Sequence, residues 1–221
     1  MLRQSLEHID HKSALQILCK AEQRQKLTVP FLHLETAIAL MHSKLLDKST
    51  SPRAGIHPGD TVILTGKSGS GKTFLITRLI SSHGVYINLD QHSTGSLPTT
   101  HHFRPRTDLD LLQLIYSLEK WFYDNGSVDW VMIDGDWHDN ETDNDRGLKW
   151  TLIEKAKALQ STWPFALVYT SRTLVVGAHA DYRFECYKQH QAVCMKLIPP
   201  FSSSHPYSAN EMDTLITTID G

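Results

Sequence analysis

Residues 66–73 read Gly66-Lys67-Ser68-Gly69-Ser70-Gly71-Lys72-Thr73. This stretch spells G-x-x-x-x-G-K-T, which is the complete Walker A motif or P-loop. The apolar run Val62-Ile63-Leu64 comes shortly before it, and a helix-like stretch at 74–80 follows it. A strand, a glycine-rich loop and a helix in this order are the context in which the motif holds a nucleoside triphosphate.

Each residue type in the motif has a physical task. Glycine has no Cβ, so the backbone can curl round a phosphate chain without a clash. The successive N–H groups and the positive end of the following helix then face the anion. We expect the ammonium group of Lys72 to reach the β- and γ-phosphates and the hydroxyl of Thr73 to bind Mg²⁺. All eight residues from 66 to 73 are therefore predicted to bind ATP.

A second element lies 62 residues after Lys72, where the sequence reads Val131-Met132-Ile133-Asp134. An apolar strand that ends in aspartate is the Walker B pattern, and it gains weight downstream of a full P-loop. We expect Asp134 to lie near Thr73 and to hold Mg²⁺ directly or through water. The alternative is an ordinary aspartate that caps the end of a strand.

Asp90 follows another apolar run, Val85–Leu89, and is the candidate catalytic residue. A carboxylate at this strand end could orient the attacking water, whereas the alternative is a turn residue. Aspartate is one methylene shorter than glutamate, and activation of water depends on placement at the ångström level. Hydrolysis is therefore expected to be slow even if Asp90 is the base.

Three arginines are candidates for contact with DNA. Arg172 follows the run Phe165–Tyr169, and the polar residues there are expected to face the γ-phosphate between the two Walker elements. Arg172 would sense that phosphate or touch DNA; otherwise it is a surface residue at a strand exit. Arg104 and Arg106 lie in a stretch that combines cations with an aromatic residue, as nucleic-acid-binding surfaces do. The alternative for that stretch is a solvated loop.

Short apolar runs alternate with helix-like stretches, which predicts an α/β fold with a mostly parallel sheet and helices on both faces. Residues 182–198 indicate a terminal antiparallel hairpin at the sheet edge. An N-terminal helical segment is predicted at 1–50, ahead of an ATP-binding core at 51–221. The predicted strands are 62–64, 85–89, 128–133 and 165–169; the predicted helices are 1–27, 33–46, 74–80, 107–122 and 148–161; polar loops are predicted at 91–107 and 134–147.

The net charge and the amino-acid composition limit the functions that this chain can have. The 221 residues carry a net charge of −2 with a sequence pI of about 6.7. A protein that grips DNA alone is usually basic, so autonomous DNA binding is not favoured, although a basic loop or a partner can supply charge. The three cysteines are sparse and odd in number, and no apolar run reaches the length of a membrane span. These features predict an intracellular protein.

Two weaker patterns could bind metal. Cys186, His190 and Cys194 resemble half a zinc site, but their spacing matches no zinc signature and a fourth ligand is not evident. A reduced pair of cysteines in the hairpin is the preferred interpretation. The acidic run at 136–145 could bind a cation, although a solvated loop is the more common outcome of such a run.

The chain resembles the RecA-type recombinases over about residues 50–200, and within them the recombinase paralogues. Their glycine-rich entry is similar to Gly55-Ile56-His57-Pro58-Gly59-Asp60. Tyr86-Ile87-Asn88-Leu89-Asp90 occupies the place of Tyr-Ile-Asp-Thr-Glu, whose Glu orients water. Leu167-Val168-Tyr169-Thr170-Ser171-Arg172 resembles the strand before their second DNA-binding loop, with Arg172 in place of Gln. Leu111-Leu112-Gln113-Leu114-Ile115-Tyr116-Ser117-Leu118-Glu119 with Phe122 looks like the helix ahead of their Walker B strand.

The resemblance implies a RecA-like core that binds ATP and Mg²⁺ and, if active, is a weak DNA-stimulated ATPase. It implies a nuclear protein in homologous-recombination DNA repair, whose partners are other recombinase paralogues, sometimes with a SWIM-type zinc protein, and DNA in the complex. No Phe-x-x-Ala polymerisation motif occurs near residues 27–40. We therefore expect a subunit of a small hetero-complex that assists the main recombinase.

Two other functions fit the P-loop. A small-molecule kinase would use Asp90 to bind an acceptor hydroxyl and Arg146 on a lid, but the acidic segment at 134–147 lacks the clustered arginines of a lid. A pure interaction module would carry a vestigial P-loop. Replacement of Lys72 separates this last function from the others.

Overall fold

A computed structural model describes residues 55–79, 83–90, 100–135, 143–172, 180–189 and 192–198. The helices predicted at 1–27 and 33–46 lie outside these ranges, as do the acidic residues at 136–142. Within the described ranges the chain forms seven strands and three helices. The strands are β1 Thr61–Thr65, β2 Gly84–Asn88, β3 Thr100–Phe103, β4 Trp130–Asp134, β5 Ala166–Ser171, β6 Tyr182–Gln189 and β7 Ala192–Ile198; the helices are α1 Lys72–Leu79, α2 Asp108–Asn125 and α3 Asp143–Gln160.

The strands form one sheet in the order β3-β2-β4-β5-β1-β6-β7. Every neighbouring pair is parallel except β6 and β7, which form an antiparallel hairpin at one edge. The prediction of a mostly parallel sheet with a terminal hairpin is therefore confirmed. The apolar character of β1, β4 and β5 follows from their burial along their whole length.

Side chains alternate between the two faces of the sheet, so each strand feeds two cores. On β1, Val62 and Leu64 pack into the core that contains Leu75 and Ile76 of α1. Ile63, between them, packs into the opposite core with residues of α2 and α3. Helices thus cover both faces, as the sequence predicts. Among the described residues no helix combines the length and the apolar character that a membrane crossing requires.

Helix α2 begins at Asp108, one residue after the predicted start at 107. The Thr107 hydroxyl accepts a hydrogen bond of 3.1 Å from the Asp110 backbone N–H, and the Asp110 carboxylate accepts one of 3.0 Å from the Thr107 N–H. This reciprocal pair is a capping box, with Thr107 as the cap residue of the helix. On the outer face of α2, Leu109, Tyr116 and Tyr123 recur every seven residues with exposed side chains.

The structure corrects two of the predicted loops. Residues 91–107 are not loop throughout, because β3 pairs with β2 at Thr100–Phe103. The rings of His101 and Phe103 lie 4.8 and 5.8 Å from the Trp121 ring. The two histidines lower the hydropathy of this edge strand, so the sequence predicts a loop here. The polar stretch at 134–147 is also shorter than predicted, since α3 begins at Asp143. The first turn of α3 contains no apolar residue, so hydropathy does not mark the start of the helix.

Candidate functional site

The carboxyl ends of four neighbouring parallel strands meet at one edge of the sheet. Thr65 at the end of β1 pairs with Ser171 of β5, and Asn88 at the end of β2 pairs with Asp134 of β4. Strand β5 lies between β1 and β4, as predicted for the segment between the two Walker elements. The P-loop strand and the Walker B strand are thus two strand spacings apart, about 10 Å.

Close packing against the hairpin makes glycine necessary at two positions of the P-loop. Gly71 has a φ of +96°, and a Cβ added there would lie 2.6 Å from both methyl groups of Val193 on β7. Gly66 has a φ of +150°, and an added Cβ would overlap the carbonyl oxygen of Cys186 on β6. Positive φ angles and these contacts exclude side chains at both positions. The motif glycines therefore allow the loop to curl and also allow the hairpin to pack directly against it.

The ammonium group of Lys72 is drawn into the P-loop. Its Nζ donates hydrogen bonds of 2.7 Å to the Gly66 carbonyl and 3.1 Å to the Lys67 carbonyl. The residue is only 5% exposed. A buried ammonium needs such acceptors, and the oxygens of a bound phosphate would be an alternative partner for it. Lys72 is the first residue of α1, which begins two residues before the predicted helix at 74–80.

Ser70 supplies a further polar group inside the loop. Its hydroxyl oxygen is buried and has no hydrogen-bond partner among the described residues. A Cβ added at Gly66 would lie 2.7 Å from this oxygen, which places the hydroxyl against the first residue of the loop. A buried hydroxyl without a protein partner is rare and fits a site completed by a ligand. The phosphate oxygens of ATP would supply such a partner.

Asp134 is held in a network of neutral donors. Its carboxylate accepts a hydrogen bond of 2.8 Å from the Tyr86 hydroxyl and one of 3.1 Å from the Thr170 hydroxyl. The Thr170 oxygen accepts in turn from the Gly135 N–H at 2.9 Å. Asp134 is 2% exposed, so three strands fix the orientation of this carboxylate.

The oxygen groups at this edge fit Mg²⁺. Thr73, half-buried at the start of α1, and Asp134 offer a hydroxyl and a carboxylate. Mg²⁺ prefers oxygen ligands and keeps water and phosphate oxygens in its shell, so one or two protein ligands suffice. Within the described part of the chain no group of three or more His, Cys, Asp or Glu side chains could hold a metal. Thr73 and Asp134 are thus the residues that would hold the ion, together with the nucleotide.

Asp90 lines a cleft together with two arginines that follow the end of β3. The structure places Asp90 two residues beyond β2, where its N–H donates 2.8 Å to the side-chain oxygen of Asn88. A cleft of about 290 Å³ is lined by Asn88, Asp90, Arg104, Pro105 and Arg106. The structure therefore joins the candidate base to two of the candidate DNA contacts, which sequence reasoning treated separately.

Arg172 occupies a different part of the same edge. It is the half-buried residue that follows β5. The carbonyl of Ser171 just before it accepts a hydrogen bond of 3.2 Å from the Gly66 N–H, which ties the end of β5 to the P-loop. Strands β4 and β2 separate β5 from the β3 exit. Arg172 therefore lies next to the strand end that contacts the P-loop, whereas Arg104 and Arg106 line the cleft.

The hairpin cysteines are buried thiols. Cys186 and Cys194 are free, and they sit on adjacent strands where Cys186 pairs with Met195 and Cys194 with Tyr187. Burial raises the pKa of the Cys186 thiol to about 12, and the nearby charge of Lys72 opposes part of that rise. His190 lies outside the described residues. Both cysteines thus lie in the hairpin as free thiols, and the preference for a reduced pair over a zinc site stays a prediction.

Sequence reasoning missed the contact between the hairpin and the P-loop. Cys186 and Val193 lie more than a hundred positions from Gly66 and Gly71, and no local pattern links them. The parallel pairing of β6 with β1 and the antiparallel pairing of β6 with β7 bring them together. A glycine-rich loop indicates that another group packs closely against it, but the local sequence does not identify that group as the β6–β7 hairpin.

A scan against protein-family models found no match for this chain, and a search of the curated proteins found no similar sequence. The features that point to a function are therefore the P-loop, the carboxylate of Asp134 and the polar strand ends between them.

Proposed function

We propose that this chain is a RecA-like ATP-binding protein that acts as an accessory recombinase paralogue in homologous-recombination DNA repair in the nucleus. One observation carries the proposal. The buried ammonium of Lys72 and the buried carboxylate of Asp134 lie at one edge of the sheet, with polar strand β5 between them. A buried cation and a buried carboxylate at the mouth of a parallel sheet are the parts that nucleotide binding needs.

Different groups of the chain would hold different parts of the nucleotide. Backbone N–H groups of the loop and the start of α1 would hold the phosphates, and Lys72 would exchange its two carbonyl contacts for phosphate oxygens. Thr73 and Asp134 would hold Mg²⁺, which neutralises charge on the β- and γ-phosphates when bound. Tyr86 and Thr170 keep the Asp134 carboxylate oriented.

Slow turnover is part of the proposal. Asp90 would orient water as the candidate base, but its short side chain shares a cleft with Arg104 and Arg106. Two guanidinium groups beside a carboxylate compete with water for its oxygens. Bound nucleotide would then serve mainly to stabilise the folded chain and its interfaces by mass action.

Partner chains complete the proposal: other recombinase paralogues, sometimes with a SWIM-type zinc protein. The outer face of α2 supports a contact with a helix. Leu109 is 62% exposed and Tyr116 is 78% exposed, and Tyr123 continues the row at the same seven-residue spacing. A row at this spacing corresponds to one of the two apolar positions in the seven-residue repeat of paired α-helices. The partner helix would present apolar residues at that repeat.

Affinity capture tests the proposal. A tagged chain is recovered from an extract of its source cells in MgATP, and the proteins that come with it are identified. The proposal predicts RecA-type recombinase paralogues in the wild-type sample and their reduction with Lys72→Met. A soluble chain that recovers none of them and transfers γ-phosphate to metabolites would instead be a kinase. If Lys72→Met keeps both its partners and its stability, the chain would instead be an interaction module with a vestigial P-loop.

A further inference from the structure

Tyr86 connects the edge strand β3 to the carboxylate of Asp134. The Tyr86 hydroxyl donates a 2.8 Å hydrogen bond to Asp134, and the centroid of its ring lies 5.0 Å from that of the His102 ring. Tyr86 and His102 are register partners on the parallel strands β2 and β3, so their side chains lie on the same face of the sheet. Two consecutive contacts therefore join His102 to the carboxylate that would hold Mg²⁺.

The His102 ring packs against Tyr86 from the outer side of the sheet. On this face α1 packs mainly against β4 and β5, whereas Tyr86 belongs to β2. The Tyr86 residue is nevertheless only 1% exposed. The planes of the two rings meet at 43°, and aromatic rings at this centroid distance attract each other. His102 thus restricts the movement of the phenol ring towards the edge.

The imidazole of His102 is a neutral packing group at pH 7. Partial burial lowers the pKa of His102 from its ordinary value of 6.5, and the charge of Arg104 lowers it further. The folded chain therefore holds this ring mainly in the uncharged form. An uncharged ring can contact Tyr86 without adding a positive charge close to the metal site.

The orientation of the Asp134 carboxylate depends on two hydroxyl groups. Oδ2 accepts from Tyr86, and Oδ1 accepts from Thr170. The Thr170 hydroxyl is itself fixed by the Gly135 N–H, which donates to it at 2.9 Å. The Tyr86 hydroxyl stands at the end of a long side chain, so its position depends on how the ring is packed. Outer-shell groups of this kind orient the ligands of a metal ion.

His102 lies too far from the P-loop to contact the phosphates itself. In the order of the sheet, β3 and the P-loop strand β1 are four strand spacings apart, about 19 Å. Asp134, on β4, lies between them. An effect of His102 on the nucleotide would therefore pass through Tyr86.

We propose that His102 is a positioning residue for Mg²⁺, because its ring keeps Tyr86 in the orientation that directs the Asp134 carboxylate at the ion. This inference rests on the proposed function and extends it, since it gives the edge strand β3 a role in metal binding. A chain that lacks the His102 ring would still bind the phosphates through the P-loop. Mg²⁺ would then strengthen the binding of ATP less than it does in the wild type.

The test measures the affinity of the full chain for ATP by isothermal titration, once with Mg²⁺ and once with EDTA. The ratio of the two affinities reports the contribution of Mg²⁺. Loss of an outer-shell group typically weakens metal binding about 10–100-fold, and we expect a fall of this size in the ratio for Tyr86→Phe. His102→Ala acts one contact further out, so the ratio should fall about 3–10-fold. His102→Phe keeps an aromatic ring and should restore most of the ratio.

His101 provides a matched control on the same strand. Its side chain points to the opposite face, where its ring lies 4.8 Å from the Trp121 ring. His101→Ala should keep the wild-type ratio, and melting without nucleotide shows that each variant is folded. An unchanged ratio in His102→Ala would overturn the proposal. An equal fall in His101→Ala and His102→Ala would also overturn it, because β3 would then act as a whole.

A double variant tests the route through Tyr86. In the Tyr86→Phe background, His102→Ala should cause no further fall in the ratio, because the hydroxyl through which His102 acts is gone. The same fall in both backgrounds would overturn the proposed route. If wild type depends on Mg²⁺ and the ratio ignores His102, the inference fails alone. If wild type binds no ATP, or binds it equally with Mg²⁺ and with EDTA, the proposed function fails first.

Discussion

The hydroxyl of Tyr86 on β2 donates a 2.8 Å hydrogen bond to the carboxylate of Asp134 on the neighbouring strand β4. Tyr86 is 1% exposed, and Asp134 is 2% exposed. A buried carboxylate is costly unless donors surround it, so this contact holds an acceptor ready at the strand end. The Tyr86 side chain belongs to the core on the α1 face, which links that core to the Walker B position.

A substitution at Thr170, the second hydroxyl that donates to Asp134, tests how much these hydrogen bonds stabilise the fold. Thr170→Val deletes the hydroxyl that donates to the carboxylate and accepts from the Gly135 N–H. We expect a loss of about 1–3 kcal/mol in the free energy of unfolding, because buried polar groups lose their partners. Thr170→Ser keeps the hydroxyl and serves as the control in urea denaturation. Equal stability of the Val and Ser variants would contradict the role of this contact.

Two glycines of the P-loop form a matched pair. Gly69→Ala should cost about 1–2 kcal/mol through its φ of +75° alone, because an added Cβ meets nothing within 4 Å. Gly71→Ala should cost about 1–3 kcal/mol more, since its Cβ would also meet Val193. Val193→Ala in the Gly71→Ala background should recover part of that difference. Denaturation of the four proteins measures it, and a similar cost at both glycines would rule out close packing of the hairpin.

The buried thiol of Cys186 predicts a loss of stability at high pH. Its pKa rises from an ordinary value of 9.0 to about 12 because of burial. Between these values the unfolded chain ionises this thiol while the folded chain does not, so the free energy of unfolding falls as pH rises. Cys186→Ala should reduce the slope by up to about 1.4 kcal/mol per pH unit between pH 9 and 11. Parallel slopes in both proteins would show that the thiol does not contribute.

The cap of α2 gives a local prediction. Thr107→Ala should lower the free energy of unfolding by about 1 kcal/mol, whereas Thr107→Ser should leave it nearly unchanged. The pKa of Asp110 is lowered by hydrogen bonds from the Arg106 backbone and the Thr107 side chain. Its contribution is therefore present above pH 3.8 and lost as pH falls through the lower folded pKa. Denaturation at pH 6 and pH 3 should show the cap effect shrinking in acid.

The core strands were predictable because burial on both faces leaves an apolar run that is visible in the sequence. Val62–Leu64, the run before Asp134 and the hairpin at 182–198 all appear as strands in the sheet. The capping box of α2 was also predictable, since Thr107 and Asp110 act locally. Local chemistry and continuous burial are what a single sequence records directly.

The β3 strand and the cleft were not predictable for a related reason. His101 and His102 are polar residues that pack on aromatic rings, so hydropathy does not mark β3 as a strand. Without β3 there is no reason to place Arg104 and Arg106 beside Asp90. Long-range pairing of β2 with β3 created the cleft, and that pairing leaves no trace in local sequence.

A thermal-melting titration of wild type and Lys72→Met with MgATP tests whether the P-loop binds the nucleotide. Wild type should gain stability as RT ln(1 + [L]/Kd), about 2.7 kcal/mol at one hundred times Kd. Lys72→Met should lose most of that shift, because the ammonium inside the loop is gone, whereas the surface variant Lys120→Met should keep it. Identical melting with and without MgATP in wild type would contradict the account.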